Sequence, residues 1–420
     1  MTHHQEPAWR QAIAGAQILF VAFGALVLVP ILTGLNPSMA LLGAGIGTLI
    51  FQACTGRKVP IFLGSSFAFI APIIYSVQTW GIPATLSGLF ASGALYLMLA
   101  LLIKLRGVAF IHRIMPPVVV GPIIMLIGLG LAGVAVNLAM GKTGDGKAVL
   151  VDYQTALLVA GVSLATTVVI ALKAKGIFRL IPILAGVAVG YSLSAFLGLV
   201  NFSAIAAAPW FAVPPFVTPQ WSWPAIFFMI PVALAPAIEH VGDIIAIGAV
   251  TGRDYTARPG LHRTMLGDGL AVCVAGLIGG PPVTTYSEVT GAVMITRNHN
   301  PVIMTWAACI AIVMAFFGKF NALLQSIPTP VMGGDHDPAV RQHRRRRPQY
   351  PHPCPGRHAP APQPGDRVAG TRVRHRWSDP PDRLGDSPGG EPLRHHRRAP
   401  QPLPAQGEKG QRPTGVLNVP

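Results

Sequence analysis

The sequence predicts an all-α protein that crosses a membrane many times, and three observations lead to this prediction. Of its 420 residues, 51% are hydrophobic and only 11% are charged, whereas about a quarter of the residues in soluble domains are charged. The mean hydropathy is +0.51. The apolar residues also fall into separate segments of about 20 residues, the length that a helix needs to cross the hydrocarbon core of a bilayer.

Eleven such segments can be delimited before residue 319. They are residues 12–33, 39–55, 65–78, 84–103, 117–138, 155–173, 181–200, 222–250, 267–280, 284–297 and 301–318. Lysine and arginine are concentrated in the connections that follow the even-numbered segments. By the positive-inside rule, the N-terminus and these connections are expected to be cytoplasmic.

The third and tenth segments share a pattern that points to an internal repeat. Both "SSFAFIAPIIYS" (65–76) and "VTTYSEVTGAVMIT" (283–296) have a Ser/Thr-rich start, an aromatic residue and a short apolar helix. An odd number of crossings separates them, so they run in opposite directions, as in an inverted repeat whose discontinuous helices meet at mid-membrane. Two weak spans with no relationship are the alternative.

Acidic residues are rare in the apolar body, and half of its eight lie in predicted spans. These four are Glu239, Asp243, Asp268 and Glu288. A buried charge is costly in a bilayer, so such residues are expected to face a polar pathway. Glu239 and Asp243 share a helix face, and their repulsion in a low dielectric favours a proton on one of them. The candidates for proton coupling are Glu239, Asp243, Asp268 and His240, each with plain hydrogen bonding between helices as the alternative.

Two other classes of function are disfavoured by the sequence. The four cysteines lie far apart without a CxxC pair, so neither a disulfide framework nor a metal site is expected. No HExxH, GxSxG or GxGD pair is present, and the adjacent Glu239 and His240 are a weak catalytic signal alone. The protein is therefore not expected to be an enzyme.

Six motifs follow one another in order between residues 11 and 334. They are "FGALVLVP" (23–30), "LGSSFAFIAP" (63–72), "EHVGD" (239–243), "PGLHRTM" (259–265), "TTYSEVTGAVMITR" (284–297) and "IPTPVMGG" (327–334). Together they resemble the nucleobase–ascorbate transporter (nucleobase:cation symporter-2) family, in particular its bacterial uracil and xanthine permeases. The resemblance implies a fold of fourteen spans in two inverted repeats of seven, of which about eleven are encoded here. Spans 1–4 and 8–11 would form a core, spans 5–7 and 12–14 a gate, and spans 3 and 10 would contain short strands beside the substrate.

The resemblance also assigns residues to a nucleobase site. Glu239 would bind the ring N–H and carbonyl edge of the base, and Glu288 would bind the other edge. The backbone at Phe67 and Ser287 would add hydrogen bonds, and Ala25 and Tyr286 would line the pocket. Such groups suit a uracil-like ligand because its edge alternates donors and acceptors. For the two aromatic residues, plain helix packing is the alternative.

The same resemblance implies partners and a location. The expected partners are a small-molecule nucleobase and the lipid bilayer, with a homodimer allowed and no nucleic acid. The expected coupling ion is a proton, with no other cofactor. The location would be the bacterial plasma (inner) membrane.

Three positions depart from the family pattern and leave the substrate open. Val289 stands where an Asn is usual, Ile18 stands where a His is common, and Asp243 stands where uracil permeases place a proton-linked His. Asp243 and Asp268 resemble the xanthine-type members, whereas Glu288 resembles the uracil type. Uracil is therefore the first expected substrate, and xanthine or another oxopurine is the second. An anion transporter of the same fold is disfavoured by the two glutamates.

Residues 335–420 differ in composition from the rest, with sixteen of the 32 Lys and Arg residues and seventeen of the 40 Pro residues. This composition predicts a disordered basic tail. Removing one base from codons compatible with residues 335–347 yields an apolar helix that continues "VMGG", so we interpret the tail as the product of a frameshift near Gly334. A genuine tail that binds anionic lipid or nucleic acid is the alternative. In that case the last gate spans are missing, and this polypeptide is expected to be a remnant that transports poorly or not at all. The expected domains are a cytoplasmic tail (1–10), the transporter body (11–334) and this tail.

Overall fold

A computed structural model describes residues 7–107, 117–175 and 181–332, and nearly all of this part of the chain is helical or in short connections. The helices are α1 (Ala8–Thr33), α2 (Pro37–Cys54), α3 (Ile70–Trp80), α4 (Ile82–Arg106), α5 (Pro117–Ala139), α6 (Tyr153–Lys173), α7 (Pro182–Phe196), α8 (Phe202–Ala207), α9 (Trp223–Val232), α10 (Leu234–Thr251), α11 (Leu261–Ile278), α12 (Ser287–Thr296), α13 (Val302–Ala315), α14 (Gly318–Gln325) and α15 (Thr329–Met332). Two strands, β1 (Leu63–Ser65) and β2 (Val283–Thr285), a 3₁₀ turn (Phe67–Phe69) and a π-helical turn (Thr256–Gly260) complete the described elements. The predicted tail at 335–420 and residues 1–6 of the predicted cytoplasmic tail lie outside the described residues.

Each of the eleven predicted spans coincides with at least one of these helices. Within the described residues, six helical segments are long and apolar enough to cross a membrane, and three shorter apolar helices accompany them. The protein is therefore a multi-pass membrane protein. The ninth span starts earlier than the predicted residue 267, because α11 begins at Leu261. The polar residues of its first turn concealed this start from a hydropathy argument.

The predicted eighth span is broken into α9 and α10 at Ala233. Pro231 and Pro236 flank the break, and proline has no N–H to donate to the carbonyl one turn earlier. The N–H of Ala233 still bonds to Met229 O at 3.2 Å, so the chain continues as a kinked helix. The kink lies between one and two helical turns before Glu239.

The two strands form an antiparallel pair between chain-distant segments, with Leu63 opposite Thr285 and Ser65 opposite Val283. Each strand is followed by a short helix: a single 3₁₀ turn (Phe67–Phe69) and α3 follow β1, and α12 follows β2. The Leu63 N–H donates to Thr48 Oγ1 at 3.0 Å. Both strands are fully buried, as polar backbone inside a membrane protein has to be. The predicted short strands in spans 3 and 10 are confirmed.

The pair lies among closely packed helices. Helix α11 packs against α4 and α2, and α13 packs against α1 and α2. Glycines allow the closest approach: a Cβ on Gly93 of α4 would lie 2.5 Å from Cys273 Sγ of α11. Helices α6 and α7 pack on each other, and α5 contacts α10. Their other faces expose large apolar residues such as Leu172, as expected of a surface in contact with lipid.

Candidate functional site

Glu239 and Glu288, far apart in the sequence, are brought into one region. Glu239 lies in α10 just after the kink, and Glu288 is the second residue of α12. The two helices pack together, and the two carboxylates interact electrostatically. Glu239 is half-buried, whereas Ser287 and Glu288 are exposed although the strand just before them is buried. The start of α12 therefore lies at an accessible surface of the helical body.

Asp243 connects α10 to the start of α12. Its Oδ1 accepts a short hydrogen bond, 2.5 Å, from the Ser287 hydroxyl. Its carboxylate is buried, and Oδ2 has no hydrogen-bond partner among the described residues. Asp243 lies four residues after Glu239, so one face of α10 presents both acids, as the spacing predicted.

His240 lies on a different face of α10 and is completely buried. Its Nε2 lies 3.1 Å from Thr264 Oγ1 of α11, and its Nδ1 lies 3.2 Å from Thr285 Oγ1 of β2. Nδ1 is also 3.2 Å from Oδ2 of Asp268, itself fully buried. Asp268 Oδ1 accepts the Thr285 N–H at 3.0 Å. His240 and Asp268 thus hold β2 against α10 and α11.

His240 therefore contacts three polar groups on two other elements. Thr264 Oγ1 also lies 3.0 Å from Leu261 O, to which it donates, so it can accept from Nε2 of His240. Nδ1 lies 3.2 Å from both Thr285 Oγ1 and Asp268 Oδ2.

Phe67 and Tyr286 form an aromatic pair across the two strand–helix junctions. Their ring centroids are 6.1 Å apart and the rings are tilted by 44°. Gly64 makes room for the pair, since a Cβ there would lie 3.1 Å from Tyr286 Cγ. The Tyr286 side chain also interacts with the Glu288 carboxylate. The aromatic pair therefore adjoins the acidic residues.

The backbone donors expected from the sequence lie at the ends of the two strands. Phe67 begins the 3₁₀ turn after β1, and Ser287 begins α12 after β2. The first N–H groups of a helix have no partner within that helix, so the N–H groups at both positions are not used by their own helices. Ala25 is fully buried in α1, a helix that packs against β1 and α12. Val289, the departure from the family pattern, is buried in the core.

Three residues of the polar region were not singled out by sequence reasoning. Thr285 and Thr264 are the hydroxyl partners of His240, and Tyr96 of α4 is a buried phenol that interacts electrostatically with Asp268. Thr264 and Thr285 both occur inside the six motifs, and this was the signal from which their role could have been predicted. Within the described residues, no group of three or more His, Cys, Asp or Glu side chains is arranged to hold a metal ion.

An apolar cavity of about 470 Å³ lies beside the site. Residues of α1, the 3₁₀ turn and α3 line one side, and residues of α5, α6, α7 and α15 line the other. Phe67 is part of this lining. The cavity thus lies along the boundary between the helices expected in the core and those expected in the gate.

A helical membrane body with ionisable residues gathered around a buried strand pair defines a polytopic membrane transporter. Comparison with known proteins gives the family. Residues 10–335 match the model of a family described as "Permease family". The chain belongs to this family, the nucleobase–ascorbate transporters.

Relatives with known names match over most of the chain. The chain is 57% identical over 325 residues to a "Probable uracil permease" of Haemophilus influenzae, covering 77% of each protein. It is 47% identical over 324 residues to a uracil permease of Bacillus caldolyticus, covering 76% of the chain and 74% of the relative. It is 39% identical over 323 residues to a uracil permease of Escherichia coli K12, covering 76% and 73%.

Solved structures of other transporters share the fold. The transmembrane domain of the cyanobacterial bicarbonate transporter BicA aligns with a TM-score of 0.59 at 14% identity, covering 79% of this chain and 88% of that domain. SLC26A9 aligns with a TM-score of 0.53 at 12% identity, covering 78% of this chain and 56% of the other. At these identities the likeness concerns the fold alone.

Proposed function

We propose that this protein is a uracil permease that takes up the base together with a proton. Three relatives between 39% and 57% identical bear the name uracil permease, and this supports a pyrimidine as the substrate. We further propose that the protein lies in the bacterial inner membrane with a cytoplasmic N-terminus, because lysine and arginine follow the even-numbered spans.

The observation that carries the proposal is the convergence of Glu239 and Glu288 beside the strand pair. Uracil presents two ring N–H donors and two carbonyl acceptors. A carboxylate accepts from a ring N–H in a charge-assisted hydrogen bond, and the backbone N–H groups at Phe67 and Ser287 can donate to carbonyl oxygens. Carboxylate acceptors for the ring N–H groups and backbone donors for the carbonyl oxygens are therefore both present near the ends of β1 and β2.

Proton coupling is proposed for the same acidic cluster. Glu239 interacts electrostatically with Asp243, Glu288 and Asp268, and charged carboxylates gathered around the buried Asp243 and Asp268 repel one another. A proton on Glu239 relieves this repulsion, and a bound base changes the hydration of the same carboxylate. Protonation and substrate occupancy are then linked, which uphill transport requires because substrate affinity alone supplies no driving force.

The aromatic pair contributes area rather than polarity. Phe67 and Tyr286 can contact the flat face of a base, while Gly64 keeps the Tyr286 ring close to β1. Stacking on aromatic side chains is tolerant of base identity. Discrimination among bases is therefore assigned to the two glutamates and the backbone donors.

The test is uptake of radiolabelled uracil and of xanthine by cells that express the 420-residue chain and lack uracil uptake of their own, with and without an uncoupler. The Glu239→Gln variant is compared with Asp254→Asn, a matched control that neutralises a fully exposed carboxylate in a connection. Equilibrium binding of uracil to the purified chain is measured in parallel.

Uncoupler-sensitive uracil uptake that is lost in Glu239→Gln and kept in Asp254→Asn is the expected result. Full uptake by Glu239→Gln would remove this residue from the site. Binding without uptake would support the site but identify the chain as a remnant that does not transport. Preference for xanthine over uracil would overturn the pyrimidine assignment.

A further inference from the structure

Tyr96 is a buried polar residue to which the proposed function assigns no role. It lies in α4, and its side chain is completely buried. Its hydroxyl makes no hydrogen bond to any described residue. Buried hydroxyls are nearly always paired, either with protein atoms or with an ordered internal water. The Tyr96 hydroxyl therefore requires a partner.

The surroundings of Tyr96 show which partner is in reach. Its Cβ abuts Gly269 of α11, where an added Cβ would lie only 2.8 Å away. Asp268 is the neighbour of Gly269 in sequence, and its carboxylate interacts electrostatically with the Tyr96 side chain, as do those of Glu239 and Asp243. The absence of a side chain at Gly269 thus allows the Tyr96 Cβ to pack against the part of α11 that carries Asp268.

Asp268 in turn has an acceptor that is incompletely satisfied. Its Oδ1 accepts from the Thr285 N–H at 3.0 Å. Its Oδ2 lies 3.2 Å from His240 Nδ1 but makes no well-aligned hydrogen bond to any described residue. A carboxylate oxygen has more than one acceptor site. A donor without an acceptor and an acceptor with spare capacity are therefore buried in the same region.

We propose that Tyr96 is a positioning residue of the site: its hydroxyl donates, through one internal water, to Oδ2 of Asp268. A bridging water stabilises almost as well as a direct hydrogen bond, and it satisfies both groups at once. With Oδ2 held in this way, Oδ1 stays directed at the Thr285 N–H. Through Asp268, Tyr96 thereby fixes the position of β2 and of the start of α12.

This inference rests on the proposed function for its consequence. Thr285 directly precedes Tyr286 and is followed by Ser287 and Glu288, so a small displacement of β2 moves the groups assigned to uracil. The titratable groups that face Asp268 and Tyr96 are His240, Glu239 and Asp243 of α10. Any change of the Asp268 charge is therefore felt by the proposed coupling cluster.

Tyr96→Phe is the direct test, because it removes one oxygen and keeps the ring. Tyr255→Phe is the matched control: Tyr255 is also buried but lies in the connection between α10 and α11. Uracil affinity of the full chain in lipid nanodiscs is measured for both variants, for Asp268→Asn and for the double variant Tyr96→Phe/Asp268→Asn. The measurements span the pH range in which carboxylates and histidine titrate.

Tyr96→Phe is expected to weaken uracil binding by about five- to tenfold. The pH profile of binding should differ from that of the unsubstituted chain, because Asp268 belongs to the same buried polar network as His240 and Thr285. In the Asp268→Asn background, the same change should have little further effect. Tyr255→Phe should leave affinity and profile unchanged.

A Tyr96→Phe effect that is equal in both backgrounds, or an unchanged pH profile, would overturn the proposal, because loss of packing alone would behave in this way. The same four variants are compared by melting temperature, a readout that needs no ligand. Non-additive melting temperatures support the bridge, and additive ones refute it, even if the unsubstituted chain fails to bind uracil. That last outcome would refute the proposed function alone.

Discussion

Replacement of His240 by phenylalanine is expected to lower the free energy of unfolding by about 3–5 kcal/mol. The His240 ring is completely buried. Because phenylalanine keeps most of its packing contacts, the lost stability comes from the polar interactions of the imidazole. The two hydroxyl contacts, with Thr264 at 3.1 Å and Thr285 at 3.2 Å, account for about 0.5–1.5 kcal/mol each. The larger part comes from Asp268, which loses its partner at 3.2 Å inside the protein.

The assay is chemical denaturation of the purified protein in mixed micelles, followed by tryptophan fluorescence. Thr264→Val is the matched control, because it removes one hydrogen bond of His240 with little change in shape and should cost about 1 kcal/mol. A His240→Phe variant that is no less stable than Thr264→Val would refute the buried pair as an important interaction.

Three further outcomes are expected. Gly93→Ala should lower the melting temperature, and the free energy of unfolding by about 1–3 kcal/mol, because the new methyl would lie 2.5 Å from Cys273 Sγ. An unchanged melting temperature would show that the α4–α11 contact is looser than described. Gly64→Ala should weaken uracil binding several-fold with little loss of stability, since the methyl would lie 3.1 Å from the Tyr286 ring. Calorimetry on the purified chain measures the affinity for uracil. An unaltered affinity would show that the Tyr286 ring does not line the pocket. Glu288→Gln should weaken uracil binding by about tenfold or more, because it loses a charge-assisted hydrogen bond. Equilibrium dialysis measures the affinity, and undiminished binding would contradict a role for this carboxylate.

Much of the fold could be predicted from the sequence because a bilayer restricts the choices. Segments that cross it must be apolar and helical, so hydropathy located the spans. The discontinuous helices of spans 3 and 10 were predicted from their shared Ser/Thr-rich start, and their short strands from the family resemblance. The break at Ala233 was missed, although Pro231 and Pro236 signalled it, because apolar composition continues through the kink.

The placement of the polar residues could be predicted only in part. Glu239 and Asp243 were expected on one face because their spacing in a helix settles it. The partners of His240 could not be predicted, since Thr264 and Thr285 lie on other elements and hydropathy does not encode how helices rotate against each other. Tyr96 carried no signal at all, because a single tyrosine in an apolar helix is typical of ordinary packing. The full seven-plus-seven repeat and the division into core and gate stay predictions.

The pairing of β1 with β2 has a consequence for biosynthesis. Leu63 is made early, but its partner Thr285 leaves the ribosome only after roughly 220 more residues. At about 5–20 residues per second, this takes on the order of ten to forty seconds. During this interval the edge of β1 has no strand beside it and must be shielded by neighbouring helices, by water or by the insertion machinery. A nascent chain arrested between the two strands would therefore be the species most open to recognition by quality-control proteases.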